Sequence, residues 1–261
     1  MSEVDEVMVG TTSCHFLSWS DFKKQIRLWL EGSQGRHIVT LNPEMVLRAE
    51  HDGDFRTAIH AADLRVPDGA GLVWARWYLR SPFWALWPSL ATFPFITVER
   101  IPGVEALLEV ARQCAERDQG VYLLGGTPRQ NSRAAKRLAK QFPSLTFHRA
   151  ADHVFDAAGP AEILADIREK QPAALFVAYG APKQALWIQR HLNTLPSVRL
   201  AMGVGGAFAI LAEEKPRAPR WLRQLNLEWL WRLALEPSRL KRIYKATIEF
   251  PRLIHRQKQQ S

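Results

Sequence analysis

The chain has 261 residues, 47% of them hydrophobic and 23% charged, with two cysteines and a formal net charge of +9. That length and composition fit one large α/β domain, or a domain with an extension, and exclude a disordered or low-complexity chain. Cys14 and Cys114 stand far apart without metal-type spacing, which excludes a disulfide framework and points to a reducing compartment. The opening MSEVDEVMVG is acidic and lacks an apolar core, so no secretory leader is expected and a cytoplasmic location is.

Short apolar runs alternate with amphipathic ones. HIVTLN (37–42) predicts a strand, and PEMVLRAEHDGDFRTAIHAA one or two helices. LRVPDG then ends a strand, and GLVWARWYLR predicts a helix. The stretch 81–98, SPFWALWPSLATFPFITV, is apolar and aromatic but interrupted by Pro82, Pro88 and Pro94. A membrane span needs about 20 uninterrupted apolar residues; this stretch suits an interface or the core instead.

Further on, VEALLEVARQCAERDQ (104–119) is apolar at 104, 107, 108, 111 and 115, a helical spacing. VYLLGG (121–126) predicts a buried strand, followed by a helix near 128–141. LTFHRA predicts a strand with a helix near 160–170, ALFVAYG (174–180) a strand with a helix from 182, and VRLAMGVGG (198–206) a last strand. This alternation predicts a doubly wound, mainly parallel sheet, whose ligands bind at the C-terminal strand ends. Polar and glycine residues fall at those ends: Thr40–Asn42, Pro67–Gly69, Gly125–Thr127, Tyr179–Gln184 and Gly203–Gly206.

After residue 214 the pattern changes to helices broken near Pro237. Residues 215–261 hold 12 Lys and Arg against three Glu, which is the whole excess charge; residues 1–214 balance at zero. The expected division is therefore an α/β core over 1–214 and a helical, basic appendage over 215–261. Such a segment seeks an anionic partner. Arg239 and Arg242 are three apart and share a helix face. Trp221, Trp229, Trp231 and Tyr244 are interleaved with them and with Arg232, a mixture suited to phosphate groups and a lipid interface. A plain solvated basic face is the alternative.

Several motifs admit a structural and a chemical reading. In RVPDGAGLVWA (65–75), Asp68 is either the N-cap of the following helix or a carboxylate held open for chemistry. LLGGTPRQN suits a phosphate cradle at a helix N-terminus, though every strand-to-helix turn of such a fold favours glycine. GVGGAF has only two glycines of the dinucleotide fingerprint, and no GxxxxGK[ST] occurs. Asp52-Gly53-Asp54 has the D-x-D look of a metal–diphosphate clamp but lies away from a strand end, and reads as a solvated turn. The eight histidines form no HExxH, and no G-x-S-x-G elbow is present.

Taken in order, TLNPE (40–44), VPDG (66–69), ERIPGVEAL (99–107), LLGGTP (123–128), GAPKQ (180–184), GVGGAF (203–208) and RAPRWLRQLNLEWLWRLALEPSRLKR (217–242) resemble the WecG/TagA/CpsF family, glycosyltransferase family 26. The resemblance implies a Rossmann-like core whose C-terminal appendage completes the site. It implies transfer of an N-acetylmannosamine-type or related sugar from a UDP donor to a polyprenyl-diphosphate-linked acceptor, with inversion, in surface-polysaccharide or wall-polymer synthesis. Neither metal nor cofactor is implied, nor a nucleic acid, and the setting is peripheral on an anionic membrane surface at the inner face of the cell membrane. Oligomeric state is left open, a homo-oligomer included.

By the same resemblance Asp68 is the general base, and Thr40 and Asn42 lie at the pocket. Arg232, Arg239 and Arg242 hold diphosphate, and Arg100, Gly125, Gly126 and Gln184 complete the substrate-binding set. The chain departs from the family pattern at Ala185 and Ala209, where acids are usual, and at Glu213, near a usual glycine. Two readings from other classes remain beside it. A basic nucleic-acid-binding protein accounts for the tail, and a nucleotide-dependent oxidoreductase for the core.

Overall fold

The computed structural model describes residues 4–82, 100–149, 160–213, 219, 222, 228–235 and 240–260. Six parallel strands form the central sheet: β3 (Arg36–Leu41), β4 (Leu64–Pro67), β5 (Val121–Gly125), β6 (Phe147–Arg149), β7 (Ala174–Ala178) and β8 (Leu200–Gly203). Their order is β4-β3-β8-β7-β5-β6. The helices are α1 (Trp19–Glu31), α2 (Pro43–Ala49), α3 (Gly53–His60), α4 (Ala70–Arg80), α5 (Gly103–Ala115), α6 (Pro128–Gln141), α7 (Pro160–Lys170), α8 (Lys183–His191) and α9 (Ala207–Leu211). In the basic segment α10 (Glu228–Leu235) and α11 (Leu240–Tyr244) follow, and a π turn at Lys245–Glu249 leads into α12 (Phe250–Gln260).

Alternate residues of each strand face opposite sides, as a strand's period of two requires. Leu123, Phe176 and Met202 pack with α1, α5 and α6 in one core cluster. Tyr122, Leu175, Val177 and Ala201 pack with α7 and α8 on the other face. Both faces are covered, which explains why the strands read as continuous apolar runs. The sheet is Rossmann-like and doubly wound, as the alternation predicts. The connections leaving β5 and β7 run to opposite sides of that pair, so a crevice lies at their C-terminal ends.

A hairpin absent from the sequence expectations precedes the sheet. Strands β1 (Asp5–Val9) and β2 (Thr12–Phe16) pair antiparallel with Val9 opposite Thr12. The two-residue turn places Gly10 at φ +60°, where a glycine carries no steric penalty. Every residue of β2 is buried. Asp52 is an N-cap rather than a plain solvated turn: it accepts from Phe55 N–H at 3.0 Å and pairs with Arg48.

The last helix also belongs to the packed interior. Phe250 and Ile254 are fully buried in a cluster with Trp74, Tyr78, Met45 and Val46. Tyr78 Oη lies 2.6 Å from His255 Nδ1, and Lys258 reaches the carbonyls of Tyr78 and Ser81. Gln257 accepts from Gly10 N–H at 2.8 Å. Glu213 takes the left-handed φ of +58° that glycine favours, which accounts for a glycine being usual near that point.

On β3, His37 is 3% exposed, and burial lowers its imidazole to about 4, opposed by the nearby Asp63 carboxylate. The unfolded chain takes up that proton near the ordinary value of 6.5, so stability present above pH 6.5 is lost as pH falls toward 4. Denaturant melts at pH 7 and 4.5 are expected to show the wild type losing about 2–3 kcal/mol more than His37→Leu.

Candidate active site

The sequence candidates at strand ends converge on the C-terminal edge of the sheet. Leu41 and Pro67 are paired at the ends of β3 and β4. Beyond them Asp68 N–H donates to Leu41 O at 2.8 Å, and Ile101 N–H donates to Pro67 O at 2.9 Å. These bonds bring three segments together: Thr40–Asn42, Asp68–Gly69 and Arg100–Gly103.

Asp68 does not cap the helix that follows it. The N-cap of α4 is Gly69, and among the described residues no side-chain cap bond is made at that end. The Asp68 carboxylate instead accepts the Gly103 N–H at 2.7 Å, at the first residue of α5. The positive end of α5 thus faces a negative group, a favourable pairing. Thr40 stands on the other side of the same residue, since a Cβ on Gly103 would lie 3.2 Å from Thr40 Oγ1. Gly103 therefore lets the hydroxyl and the carboxylate flank one helix end.

Asn42 caps α2, its Oδ1 accepting from Met45 N–H at 3.0 Å, with Pro43 in the first turn. Gly69 lies against this corner: a Cβ there would approach Pro43 Cδ to 3.3 Å and Asn42 Cβ to 4.0 Å. Arg100 is half-buried just before α5.

Farther along the same edge of the sheet, two glycines stand at the end of β5, Gly125 as its last residue. Gly125 and Gly126 have φ of +88° and +72°, and Gly126 N–H donates to Ala178 O. A Cβ on Gly125 would meet the Tyr179 ring at 2.7 Å. Burial pushes the Tyr179 phenol up to about 12, so it remains neutral at pH 7. Thr127 and Gln130 form a capping box on α6.

Gln184 is 7% exposed, and its Oε1 accepts from Gly180 N–H at 3.1 Å and Gly205 N–H at 3.0 Å. It ties the loops after β7 and β8 together. Gly203 leaves it room, since a Cβ there would stand 2.6 Å from Gln184 Nε2. Ala185 and Ala209, where acids are usual, are both buried.

Of the basic-segment candidates, Arg242 is joined to this edge. Its Nε donates to Glu44 Oε2 at 2.8 Å, and its Nη2 lies 2.6 Å from the same oxygen. Arg232 stands on α10. Arg239 and residues 83–98 of the aromatic stretch lie outside the described residues.

Among the described residues no group of three His, Cys, Asp or Glu gathers to hold a metal ion, and no helix is long and apolar enough to cross a membrane. A cleft of about 500 Å³ opens at the other end of the strands, lined in part by Asp118, Gly120, Arg168 and Arg199. No sequence candidate lines it, and ligands of such sheets bind at the opposite edge. Gly103 and Glu44 are candidate-site residues that the motifs contain but that pattern reasoning did not single out.

Comparison with known proteins gives the family of the chain. A sequence model described as "Glycosyl transferase WecG/TagA/CpsF family" matches residues 7–261. Similar relatives include proteins of Staphylococcus aureus strains MRSA252, NCTC 8325 / PS 47 and COL, each named N-acetylglucosaminyldiphosphoundecaprenol N-acetyl-beta-D-mannosaminyltransferase. Each is 32% identical over 206 residues, covering 79% of this chain and 74% of the relative. Family model and relatives together define a glycosyltransferase. The chain belongs to the WecG/TagA/CpsF family.

Gln184→Leu keeps the volume and removes the shared acceptor of Gly180 and Gly205. Both N–H groups are partly reached by water, so a loss of about 2 kcal/mol is expected in denaturant melts. Gln184→Glu, which retains an acceptor oxygen, should lose less.

Proposed function

We propose that this enzyme moves an N-acetylmannosamine-type sugar from a UDP donor onto a hydroxyl of a polyprenyl-diphosphate-linked N-acetylglucosamine, with inversion. The observation that carries the reading is the Asp68 carboxylate, held by Gly103 N–H at 2.7 Å beside Thr40 at the C-terminal strand edge. The activity for which the Staphylococcus aureus relatives are named supports the sugar and the acceptor.

In the proposed step the acceptor hydroxyl attacks the anomeric carbon from the face opposite the diphosphate. The C–O bond to the new sugar forms as the bond to UDP breaks. Asp68 takes the hydroxyl proton, a role that contributes typically 10²–10⁴-fold. The Gly103 N–H fixes the direction of the carboxylate, and a fixed base is already placed when the acceptor arrives. Negative charge develops on the leaving UDP. The arginines of the basic segment supply donors for it.

The acceptor's lipid stays in a bilayer, so the enzyme has to work at its surface. Exposed Leu240, Tyr244 and Ile248 recur every fourth residue near the end of the chain, among Lys241, Arg242 and Lys245. An apolar row bordered by cations suits anionic lipid, where each basic residue contributes about 1 kcal/mol. The full-length variant Lys241→Glu/Lys245→Glu should co-sediment markedly less with phosphatidylglycerol vesicles than wild type does. Equal binding would set this docking face aside.

The base is tested by Asp68→Asn. Asparagine keeps the shape and still accepts from Gly103 N–H, so melting is expected near wild type. UDP release from UDP-N-acetylmannosamine, with a short-chain prenyl-diphosphate-linked N-acetylglucosamine as acceptor, should fall at least about 100-fold. Near wild-type turnover would leave Asp68 with the helix end alone.

A further inference from the structure

The segment TLNPE leads from the active-site strand into α2, and its last residue, Glu44, has no part in the proposed chemistry. With Asn42 as the cap and Pro43 first, Glu44 stands in the opening turn of α2. The corner behind it is close-packed. A Cβ on Gly71 would lie 2.7 Å from Pro43 Cγ and 3.7 Å from Phe250 Cε1, so α2, α4 and the start of α12 meet there. The ion pair between Glu44 and Arg242 crosses this junction, spanning 198 positions of sequence.

A guanidinium has two bidentate edges, Nε–Nη2 and Nη1–Nη2. Glu44 occupies the first. Among the described residues none engages Nη1 of Arg242, so the second edge is turned away from Glu44 with its donors unassigned. Arginine side chains carry much rotamer entropy, and a side chain already held loses less on binding a ligand.

We infer that Glu44 is a positioning residue: it grips Arg242 by one edge so that the other is presented to the donor's diphosphate, and so links the basic helices to the strand end that carries Thr40. This inference rests on the reading of Arg242 as a diphosphate ligand. It gives the acidic residue of the TLNPE segment a task distinct from capping, since the cap is Asn42.

The test is a double-mutant cycle in the full chain, with Glu44→Gln, Arg242→Ala and the pair. It uses UDP-N-acetylmannosamine and the short-chain prenyl-diphosphate-linked acceptor, with a thermal melt of each protein. Glu44→Gln is expected to lower kcat/KM about fivefold, the scale of one half-exposed ion pair, mostly through the donor KM. Arg242→Ala should lose more, and the double variant no more than Arg242→Ala alone. Glu44→Asp keeps the charge with a shorter reach and should fall between wild type and Glu44→Gln, which covers the case of an early-melting glutamine variant.

Equal losses from Glu44→Gln in both Arg242 backgrounds would show an effect on α2 itself and overturn the inference. A Glu44→Gln enzyme as fast as wild type or faster, with Arg242→Ala impaired, sinks the inference and leaves the diphosphate reading standing. Wild-type turnover by Arg242→Ala removes that reading and the inference with it.

Discussion

One main-chain donor organises the candidate active-site edge. The Gly103 N–H reaches the Asp68 carboxylate at 2.7 Å and thereby joins the end of β4 to the start of α5, elements separated by 35 positions. Two further main-chain bonds, from Asp68 to Leu41 and from Ile101 to Pro67, bring the same segments into register with β3. Glycine at 103 leaves Thr40 its place at the helix end, since a Cβ there would press on the Thr40 hydroxyl at 3.2 Å. The geometry of the proposed base thus depends on a residue with no functional group of its own.

Much of the architecture was legible in the residues. The apolar runs at 37–42, 121–126, 174–180 and 198–206 mark strands because both faces of the sheet are covered, leaving no polar side to disguise them. Helix limits at 128–141 and 160–170 follow from Pro at the first turn and from amphipathic spacing. The N-terminal hairpin escaped because its single turn signal, Gly10 before Thr11, is a weak one and β1 carries acids among its apolar residues.

The site was legible in part, and the reason is physical. Local pattern identified Asp68 as either a cap or a reactive group, and the carboxylate in fact serves a helix that begins far along the chain. No local rule reports such a bond. Gln184 was noted within a family motif, yet its bonds to Gly180 and Gly205 depend on how two strand ends are brought side by side. Glu44 and Arg242 likewise meet only after the fold returns the chain's end to α2. Sequence spacing records which groups are present at each strand end; the pairings among them are products of the crossovers.

The burial of Phe250 and Ile254 gives the basic segment a particular mechanical character. Leu211 and Ala212 on one side, and Phe250 on the other, are held in the interior, so the intervening stretch is tethered at both extremities. Residues 240–249 run without a break into α12, so the buried Phe250 fixes where they can stand. Cationic residues such as Lys241 and Lys245 are therefore kept within a bounded distance of the strand edge at all times, on or off a bilayer.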